Sequence, residues 1–331
     1  MNWKHQILKV LHKLYVTSFW HKFDAKRDIP NIINHPDQAS EAIFRLLTSD
    51  DPCMIARFGS VELMNVNNAR SIESPKHSIW RYITNNEREW WWNELNCSQM
   101  LSNAGFFPNT KENLLRFAHL IAEDSKSIDL LGSWIGEELF AEDFLPHDIL
   151  KVRLLYLEPY WSYKPWTKAL EGKKVVVVHP FSELIENQYN NHRLDLFLNP
   201  DVLPSFQLRV VKAVQSIGGE AGGFADWFEA LEWMKAEVDK EYYDIALIGC
   251  GAYGFPLAAH CKRQGKKSVH LGGALQLLFG IRGRRWDNPL YGVQEFEKEG
   301  VYLQLFNEHW VYPSLSDKPK HAEQVENGCY W

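Results

Sequence analysis

Two patterns of hydrophobic residues alternate along the chain, short unbroken apolar runs and longer stretches with helical spacing. The clearest run is four consecutive valines at 175–178, which is apolar on both faces, as a parallel strand covered by helices requires. Further strands are predicted at 53–58, 128–132, 154–157, 208–214, Ile245–Ile248 and 268–271. Helices are predicted at 62–68, 86–100, 111–124, from Asp226 onward and at 255–263. This alternation predicts an α/β fold, with a Rossmann-like, mostly parallel sheet and helices on both faces.

The first 28 residues are predicted to form a basic amphipathic helix. Its apolar residues recur at helical spacing, namely Trp3, Ile7, Val10, Leu11, Leu14 and Phe19. Residues 1–27 also contain six lysines or arginines and one acidic residue, Asp24. Such a helix either lies in the interface of an anionic membrane or docks its apolar stripe on the protein's own core. Both arrangements need the same stripe, and the sequence leaves both open.

Beyond this helix, the chain divides at the segment 159–168, which is rich in proline and aromatic residues. Residues 29–165 are predicted to form a first α/β half, which carries the loop at 57–62. Residues 166–315 are predicted to form a Rossmann-like, nucleotide-binding half. Residues 316–331 are a polar tail, which we expect to be loosely held.

Charge and cysteine usage narrow the class of protein. The 331 residues carry a formal net charge of −6, which argues against a nucleic acid partner. The five cysteines form no CxxC pair, which argues against a disulfide framework or a structural zinc site and fits a reducing cytoplasm. No apolar run reaches the roughly 18–20 residues of a membrane span. We therefore expect a cytoplasmic protein, peripheral on the inner face of the membrane where the N-terminal helix binds lipid.

The loop after the strand Ile245–Ile248 has the pattern of a phosphate-binding turn. Residues 249–254, GCGAYG, place a GxGxxG motif between a buried strand and a helix, which is the context that this motif requires. Its glycines let the backbone approach a phosphate, and the helix N-terminus supplies N–H donors. The residues predicted to bind phosphate are Gly249, Gly251, Ala252, Tyr253 and Gly254. The alternative is a tight turn whose glycines serve packing alone.

A dinucleotide site of the NAD type also needs an acidic residue about 20 positions after the glycine motif, at the end of the next strand. That strand, at 268–271, is followed by Gly272 and Gly273, without an acid. The missing acid disfavours an NAD(P)-dependent oxidoreductase. The glycine pair predicts a second close backbone approach in the same crevice, so Gly272 and Gly273 join the predicted phosphate-binding residues.

The loop after the strand at 53–58 carries side chains that suit a diphosphate. Arg57 can clamp a diphosphate through two parallel hydrogen bonds, with Gly59 and Ser60 beside it. Glu62 lies in the first turn of the next helix, where it can bind a divalent cation or act as a base. A structural interpretation is equally concrete: Ser60 caps the helix, Glu62 complements its dipole and Arg57 pairs with a carboxylate.

Two further loops offer candidates. His179 and Glu183 follow the valine strand and are candidate bases, and Ser182 between them can cap a helix or donate to phosphate. A histidine at a strand end is more often structural, because histidine is commonly half-buried. The basic turn at 282–285 contributes Arg282 and Arg285 as anion-binding candidates, and a solvated basic turn is the alternative.

Four of these segments together resemble bacterial glycosyltransferases of the GT-D fold. They are residues 56–62 (ARFGSVE), 179–181 (HPF), 226–228 (DWF) and 248–254 (IGCGAYG), within a resemblance that covers about residues 51–287. The resemblance implies a nucleoside-diphosphate sugar, such as a UDP-sugar, as donor. It implies a glycan, lipid-linked or protein-linked acceptor in the synthesis of surface polysaccharide or glycoconjugates.

The family's Asp-x-Glu unit is taken to hold Mn²⁺ or Mg²⁺, so the resemblance also implies such an ion at this loop. Arg57, Gly59 and Glu62 match the family pattern, and Ser60 stands where the family has Asp. One carboxylate and one hydroxyl hold a divalent cation less tightly than two carboxylates do. The substitution suggests an alternative function, a non-catalytic nucleotide or sugar-phosphate binding module of a polysaccharide assembly system.

Sugar transfer needs stabilisation of the leaving diphosphate and removal of a proton from the acceptor hydroxyl. Arg57, the turn at 282–285 and the amides at 249–254 suit the first task. Glu62, His179 and Glu183 suit the second, and the sequence does not rank them. Trp134, Trp161 and Trp227 are candidates for stacking on sugar or base faces, with core packing the stronger expectation for Trp227.

Overall fold

Eight parallel strands form one sheet in the computed structural model, which describes residues 3–19, 31–220, 222–314, 317–318, 322–324 and 328–331. In chain order the strands are β1 (Ile32–Ile33), β2 (Met54–Ala56), β3 (Leu130–Ser133), β4 (Leu150–Arg153), β5 (Lys174–His179), β6 (Gln207–Lys212), β7 (Ile245–Ile248) and β8 (Lys267–His270). Across the sheet their order is β1-β4-β3-β2-β8-β7-β5-β6.

Helices cover both faces of this sheet. In the described ranges they are α1 (Trp3–Ser18), α2 (Pro36–Thr48), α3 (Ser60–Glu73), α4 (Ile79–Ile83), α5 (Glu94–Ser102), α6 (Lys111–Ser125), α7 (Ser182–His192), α8 (Trp227–Asp239), α9 (Gly254–Arg263), α10 (Leu275–Leu278), α11 (Arg284–Asp287) and α12 (Val293–Phe296). Val176 and Val178 of β5 join the core formed with α3, α6, α8 and α9, whereas Val175 and Val177 join the core formed with α2 and α7. The α/β fold, its Rossmann-like parallel sheet and the N-terminal helix are confirmed.

The two predicted halves contribute to a single sheet. Residues 29–165 supply β1 to β4, and residues 166–315 supply β5 to β8. The two sets join at the centre, where β2 pairs with β8 and Met54 lies opposite Ser268. Because every pair is parallel, the carboxyl ends of all strands lie at one edge of the sheet, where ligands of such folds bind.

Two predicted elements were wrong. Residues 154–157 form a 3-10 helix, and the strand is β4, one turn earlier. Residues 155–157 of this apolar run are buried without being a strand, and periodicity does not distinguish a buried strand from a buried turn. The helix predicted at 86–100 is confined to α5, because the side chain of Asn93 caps it by accepting from the backbone N–H of Asn96.

The ends of the chain also differ from expectation. Of the predicted helix at 1–28, residues 1–2 and 20–28 lie outside the described ranges, and α1 accounts for most of the rest. Parts of the predicted tail at 316–331 also lie outside them, but residues 328–331 are described and are not loosely held. Cys329 and Trp331 are buried there. No helix among the described residues has the length and apolar character needed to cross a bilayer.

Candidate functional site

A cleft opens at the carboxyl ends of six strands. The loops after β2, β3, β5, β6, β7 and β8 line a first cavity of about 200 Å³. A second cavity of about 340 Å³ adjoins it, lined by the ends of β3 and β4 and by the segment at 290–295. Arg57, Trp134 and Arg285 line both cavities, so these three side chains stand at the junction.

The glycines at 249–254 divide into two kinds. A Cβ atom at Gly249 would come within 2.9 Å of the His179 ring, and one at Gly254 would come within 2.3 Å of His270 Nε2. These two glycines make room for side chains of the protein itself. Gly251 has a φ of +58°, and a Cβ there would meet no atom within 4 Å. Gly251 is therefore the position of this loop where a phosphate can approach the backbone.

The side chains of Ala252 and Tyr253 pack into the protein. Ala252 is buried, and the Tyr253 ring stacks on Trp227 with centroids 4.8 Å apart. The Tyr253 hydroxyl lies 2.7 Å from Ser216 Oγ, which in turn donates to the carbonyl of Gly105. These contacts of Tyr253 fix the position of the glycine loop. Trp227 is fully buried, in agreement with the expected core role.

Two buried histidines flank the glycine loop in the first cavity, His179 at the end of β5 and His270 at the end of β8. Burial lowers the pKa of each imidazole to about 3, so both are neutral at pH 7. His179 Nδ1 accepts the backbone N–H of Phe181 at 3.0 Å, which places the ring proton on Nε2. Neither ring nitrogen of His270 has a hydrogen-bond partner among the described residues.

His270 was missed by the sequence analysis. Both nitrogens are shielded from solvent, and Gly254 leaves the room that Nε2 occupies, so His270 forms part of the cavity wall. The sequence does contain a signal for this residue. His270 lies at the end of a strand close to a glycine pair, just as His179 lies at the end of the valine strand. What the sequence does not contain is the pairing of β8 beside β2, which brings His270 next to Arg57.

Arg57 is half-buried at the junction of the two cavities. Its guanidinium carbon lies 5.0 Å from the centre of the Trp134 ring, and in the described ranges no carboxylate forms a salt bridge with it. Trp134 is fixed by its own hydrogen bonds, because its indole N–H donates to the carbonyl of Phe58 and its backbone N–H donates to the buried Glu138. The expected structural role of Arg57, pairing with a carboxylate, is not seen among the described residues.

Glu62 lines the first cavity from the first turn of α3. Gly59 makes room for it, because a Cβ at Gly59 would lie 2.0 Å from Glu62 Oε2. Glu62 is the sole carboxylate among the described residues that line this cavity, and Ser60 supplies a hydroxyl beside it. This donor set does not build a resident site for Mn²⁺ or Mg²⁺. A cation here would need ligands from the phosphates of a bound nucleotide.

The last described residues close one side of the cleft. A Cβ at Gly273 would lie 2.0 Å from the Tyr330 ring, so Gly273 accommodates Tyr330. The Arg285 guanidinium lies 4.6 Å from the centre of that ring, and the backbone N–H of Arg285 donates to the carbonyl of Cys329. Tyr330 and Trp331 both line the first cavity, a contact that the sequence analysis did not anticipate.

The glycine pair at the end of β8 thus has two roles. Gly272 has a φ of +62°, and a Cβ there would lie 3.5 Å from Arg57 Nη1. The close approach predicted for Gly272 and Gly273 exists, but protein side chains make it. Both residues nevertheless line the first cavity, so a ligand bound there would lie next to them.

Four predicted site residues line neither cavity. One of them is Gly254, which instead makes room for His270. Glu183 points into solvent, with its side chain 89% exposed and 3.8 Å from Lys212, so its position does not support a catalytic role. Ser182 is buried behind Phe181 at the start of α7. Arg282 binds Asp287 at 2.8 Å and stacks on Phe306 and Tyr312, which accounts for its charge within the protein.

One group of three potential metal ligands occurs within the described ranges, His192, Asp195 and His309, and it lies away from the cleft. His192 is the last residue of α7, whose first residue, Ser182, follows the cavity wall. The intervening helix is about 15 Å long. This group therefore offers no ligand to the cleft.

Alanine substitutions are expected to separate the two kinds of glycine. Gly254→Ala should lower the free energy of unfolding by about 1–3 kcal/mol, because its methyl group collides with His270. Gly251→Ala should cost about 1–2 kcal/mol through its positive φ and should also weaken nucleotide binding. Urea denaturation and calorimetric titration with nucleotide measure the two effects.

Gly265→Ala is the matched control for the second substitution, because Gly265 has a φ of +72° with open space around it and lies beyond the end of α9. It should share the backbone strain of Gly251→Ala and leave nucleotide affinity unchanged. Equal affinity losses in the two variants would remove Gly251 from the site.

The chain matches none of the protein-family models, curated proteins or solved structures with which it was compared.

Proposed function

We propose that the protein is a glycosyltransferase that uses a nucleoside-diphosphate sugar. The observation that carries the proposal is the position of Arg57, half-buried between two cavities and without a salt bridge to a described carboxylate. A guanidinium in such a place favours an anionic ligand, and its planar fork suits the oxygens of a diphosphate.

The surroundings of Arg57 suit the same ligand. Arg285 stands at the same junction, and the open backbone at Gly251 faces the first cavity ahead of α9. Two guanidinium groups and the N-terminus of a ten-residue helix would stabilise the charge that develops on a departing diphosphate. Because these groups lie at the first cavity, the nucleotide is proposed to bind there.

The second cavity fits an acceptor. Arg153, Tyr291 and Glu295 contribute polar atoms to it, and Tyr291 adds an aromatic face. A donor sugar at the junction would have Trp134 beside it and the acceptor on the far side of Arg57. The acceptor class remains that implied by the resemblance, a glycan or a lipid-linked or protein-linked carrier in surface polysaccharide or glycoconjugate synthesis.

In the proposed reaction the acceptor hydroxyl oxygen bonds to the anomeric carbon of the sugar. The bond from that carbon to the diphosphate oxygen breaks, and the diphosphate leaves with the bonding electron pair. The hydroxyl proton goes to a base, and Glu62 is the best placed of the three predicted bases. The buried His179 and His270 imidazoles have pKa values of about 3 and hold a second proton weakly, so neither suits the role of base as well as Glu62 does.

A divalent cation, where one takes part, would neutralise diphosphate charge beside Glu62 and Ser60. Because these two side chains alone hold such an ion weakly, we expect Mn²⁺ to bind measurably only together with a nucleoside diphosphate. The nucleotide itself should bind without metal through Arg57 and Arg285.

A second candidate function is a non-catalytic nucleotide or sugar-phosphate binding module of a polysaccharide assembly system. The specific observation in its favour is that Glu62, next to Ser60, is the one acidic side chain among the described residues that line the first cavity. Such a module would need the anion-binding residues and not the base. It predicts nucleotide binding without transfer or hydrolysis of the sugar.

Calorimetric titration with UDP, GDP and their sugars, with and without Mn²⁺, tests the binding step. Mass spectrometry of released nucleotide then tests turnover of any donor that binds. A glycosyltransferase should release nucleotide, and Glu62→Gln should abolish release while leaving donor affinity within about threefold. Binding without release supports the second function. No binding of any nucleoside diphosphate contradicts the glycosyltransferase and also the nucleotide-binding form of the module.

A further inference from the structure

The N-terminal helix turns an apolar stripe toward solvent. Five of its residues lie on one side of α1 and remain 42–64% exposed: Trp3, Ile7, Val10, Leu11 and Leu14. Successive residues advance by about 100° around an α-helix, so these five share a sector of roughly 100°. A surface helix of a globular protein usually turns such a stripe toward the core. In α1 the stripe faces away from the core.

On the other side of α1, two histidine rings contact the protein. His5 stacks on Trp91 with ring centroids 4.1 Å apart. His12 stacks on Tyr82 of α4, and its Nδ1 lies 2.8 Å from the Tyr82 carbonyl oxygen. These contacts fix the rotation of the helix about its axis. The helix therefore docks on the protein, as one interpretation of the sequence expected, but not through its apolar stripe, which remains exposed.

Charge indicates what covers the stripe. α1 carries Lys4, Lys9 and Lys13 and no acidic residue, in a chain whose net charge is −6. Helical geometry places Lys4 on one border of the stripe and Lys13 on the other. An apolar stripe between lysines complements an anionic lipid surface, which takes the apolar side chains between headgroups and the ammonium groups beside them. Two copies of α1 facing each other would instead bring like charges together.

The length of α1 fixes the orientation. Its 16 residues extend over about 24 Å, less than the roughly 30 Å of a bilayer's hydrocarbon core. We propose that α1 is an interfacial helix that lies along the surface of an anionic membrane with the stripe inserted among the headgroups. This inference does not depend on the proposed function. If both hold, the cleft belongs to an enzyme held at the surface that carries a lipid-linked acceptor.

Cosedimentation of the intact chain with vesicles tests the proposal. We expect binding to vesicles of phosphatidylcholine mixed with phosphatidylglycerol, little binding to phosphatidylcholine alone, and weaker binding as salt rises. Ile7→Glu with Leu14→Glu should reduce binding by at least about tenfold, because two apolar contacts are replaced by charges. Both positions are exposed, so the fold should be retained, which circular dichroism checks.

A matched control introduces the same charges elsewhere. Leu194→Glu with Leu198→Glu alters two leucines that are as exposed as those of the stripe but lie outside α1. This variant should bind vesicles nearly as the unaltered chain does. Equal losses in the two double variants would show that added negative charge alone weakens binding, and would overturn the assignment of the stripe.

Two other results would also overturn the proposal. One is the absence of binding to anionic vesicles by the unaltered chain. The other is a dimer, detected by light scattering, that the stripe variant abolishes without any vesicle binding, since a second copy would then cover the stripe. Nucleotide affinity measured without lipid should be the same in all three proteins, so a failure here is distinguishable from a failure of the cleft.

Discussion

Arg57→Ala is expected to weaken the binding of a nucleoside diphosphate by about 10- to 100-fold. A hydrogen bond to a charged group contributes about 1.5–3 kcal/mol, and each 1.4 kcal/mol is about tenfold in affinity. Arg57 is half-buried beside Trp134, where water screens its charge less than it would on an open surface. Calorimetric titration with the nucleotide measures the loss, and the free energy of unfolding in urea should change little.

Two further substitutions make this result specific. Arg57→Lys should give an intermediate affinity, because lysine keeps the charge but not the planar pair of donors. Arg284→Ala is the matched control, since Arg284 is 62% exposed and lies outside both cavities, one residue before Arg285. If Arg57→Ala binds as the unaltered chain does, or if Arg284→Ala loses as much affinity, the diphosphate does not lie at the junction.

The second large effect concerns Glu158, a buried carboxyl that lines neither cavity. Glu158 Oε2 accepts from the hydroxyls of Tyr160 and Tyr302 at 2.8 and 2.7 Å and from the indole N–H of Trp161 at 2.8 Å. Trp161 thus belongs to this buried cluster and not to the cleft. Burial nevertheless raises the pKa of Glu158 from 4.5 to about 7, because removal from water outweighs the three donors.

This shift makes stability depend on pH in a defined direction. The folded protein holds the proton of Glu158 more tightly than the unfolded chain does, since the folded pKa is the higher one. The contribution to stability is complete below pH 4.5 and is lost as the pH rises through about 7. One pKa unit corresponds to about 1.4 kcal/mol, so the full loss is about 3 kcal/mol.

Urea denaturation between pH 4.5 and pH 8 measures this effect. The unaltered chain should lose about 3 kcal/mol more over that interval than Glu158→Gln, which carries no titrating group at this position. Glu171→Gln, at an exposed residue paired with Lys168, should follow the unaltered chain. Parallel curves for the unaltered chain and Glu158→Gln would show that burial does not shift this carboxyl.

The fold could be predicted because its signals are local. Four adjacent valines bury on both faces only in a covered parallel strand, and β5 lies at that place. The helix after the glycine loop begins and ends within one residue of prediction, since proline in its first turn and Gly265 beyond its end act through the backbone alone. β4 was missed because it is short and half-exposed, whereas the buried 3-10 turn after it is apolar.

The sequence predicted correctly only those site residues whose place in the cleft follows from their position along the backbone. Arg57 and Gly251 line the cleft because each follows a strand at its carboxyl end. Arg282 also follows an apolar helix in a basic turn, but a nearby carboxylate, Asp287, takes up its charge. The sequence gives the spacing of such residues and not the direction or partner of each side chain. Glu183 was predicted as a candidate base for the same reason, but its side chain points into solvent.

Contacts between distant parts of the chain were beyond local signals altogether. Tyr330 reaches the cleft because Gly273, more than fifty positions earlier, leaves room for its ring. His270 becomes a cavity residue because β8 is inserted between β2 and β7. Neither contact produces a periodic pattern or a motif in the sequence, so each is visible only in the three-dimensional structure.

A nucleoside diphosphate is proposed to bind in the first cavity, and a crystal structure of the protein with UDP or GDP tests this most directly. The expected result is a diphosphate with its oxygens within hydrogen-bond distance of the Arg57 guanidinium and of a backbone N–H at 251–254. A nucleotide bound elsewhere, or one whose phosphates point into solvent away from Arg57, would contradict the account.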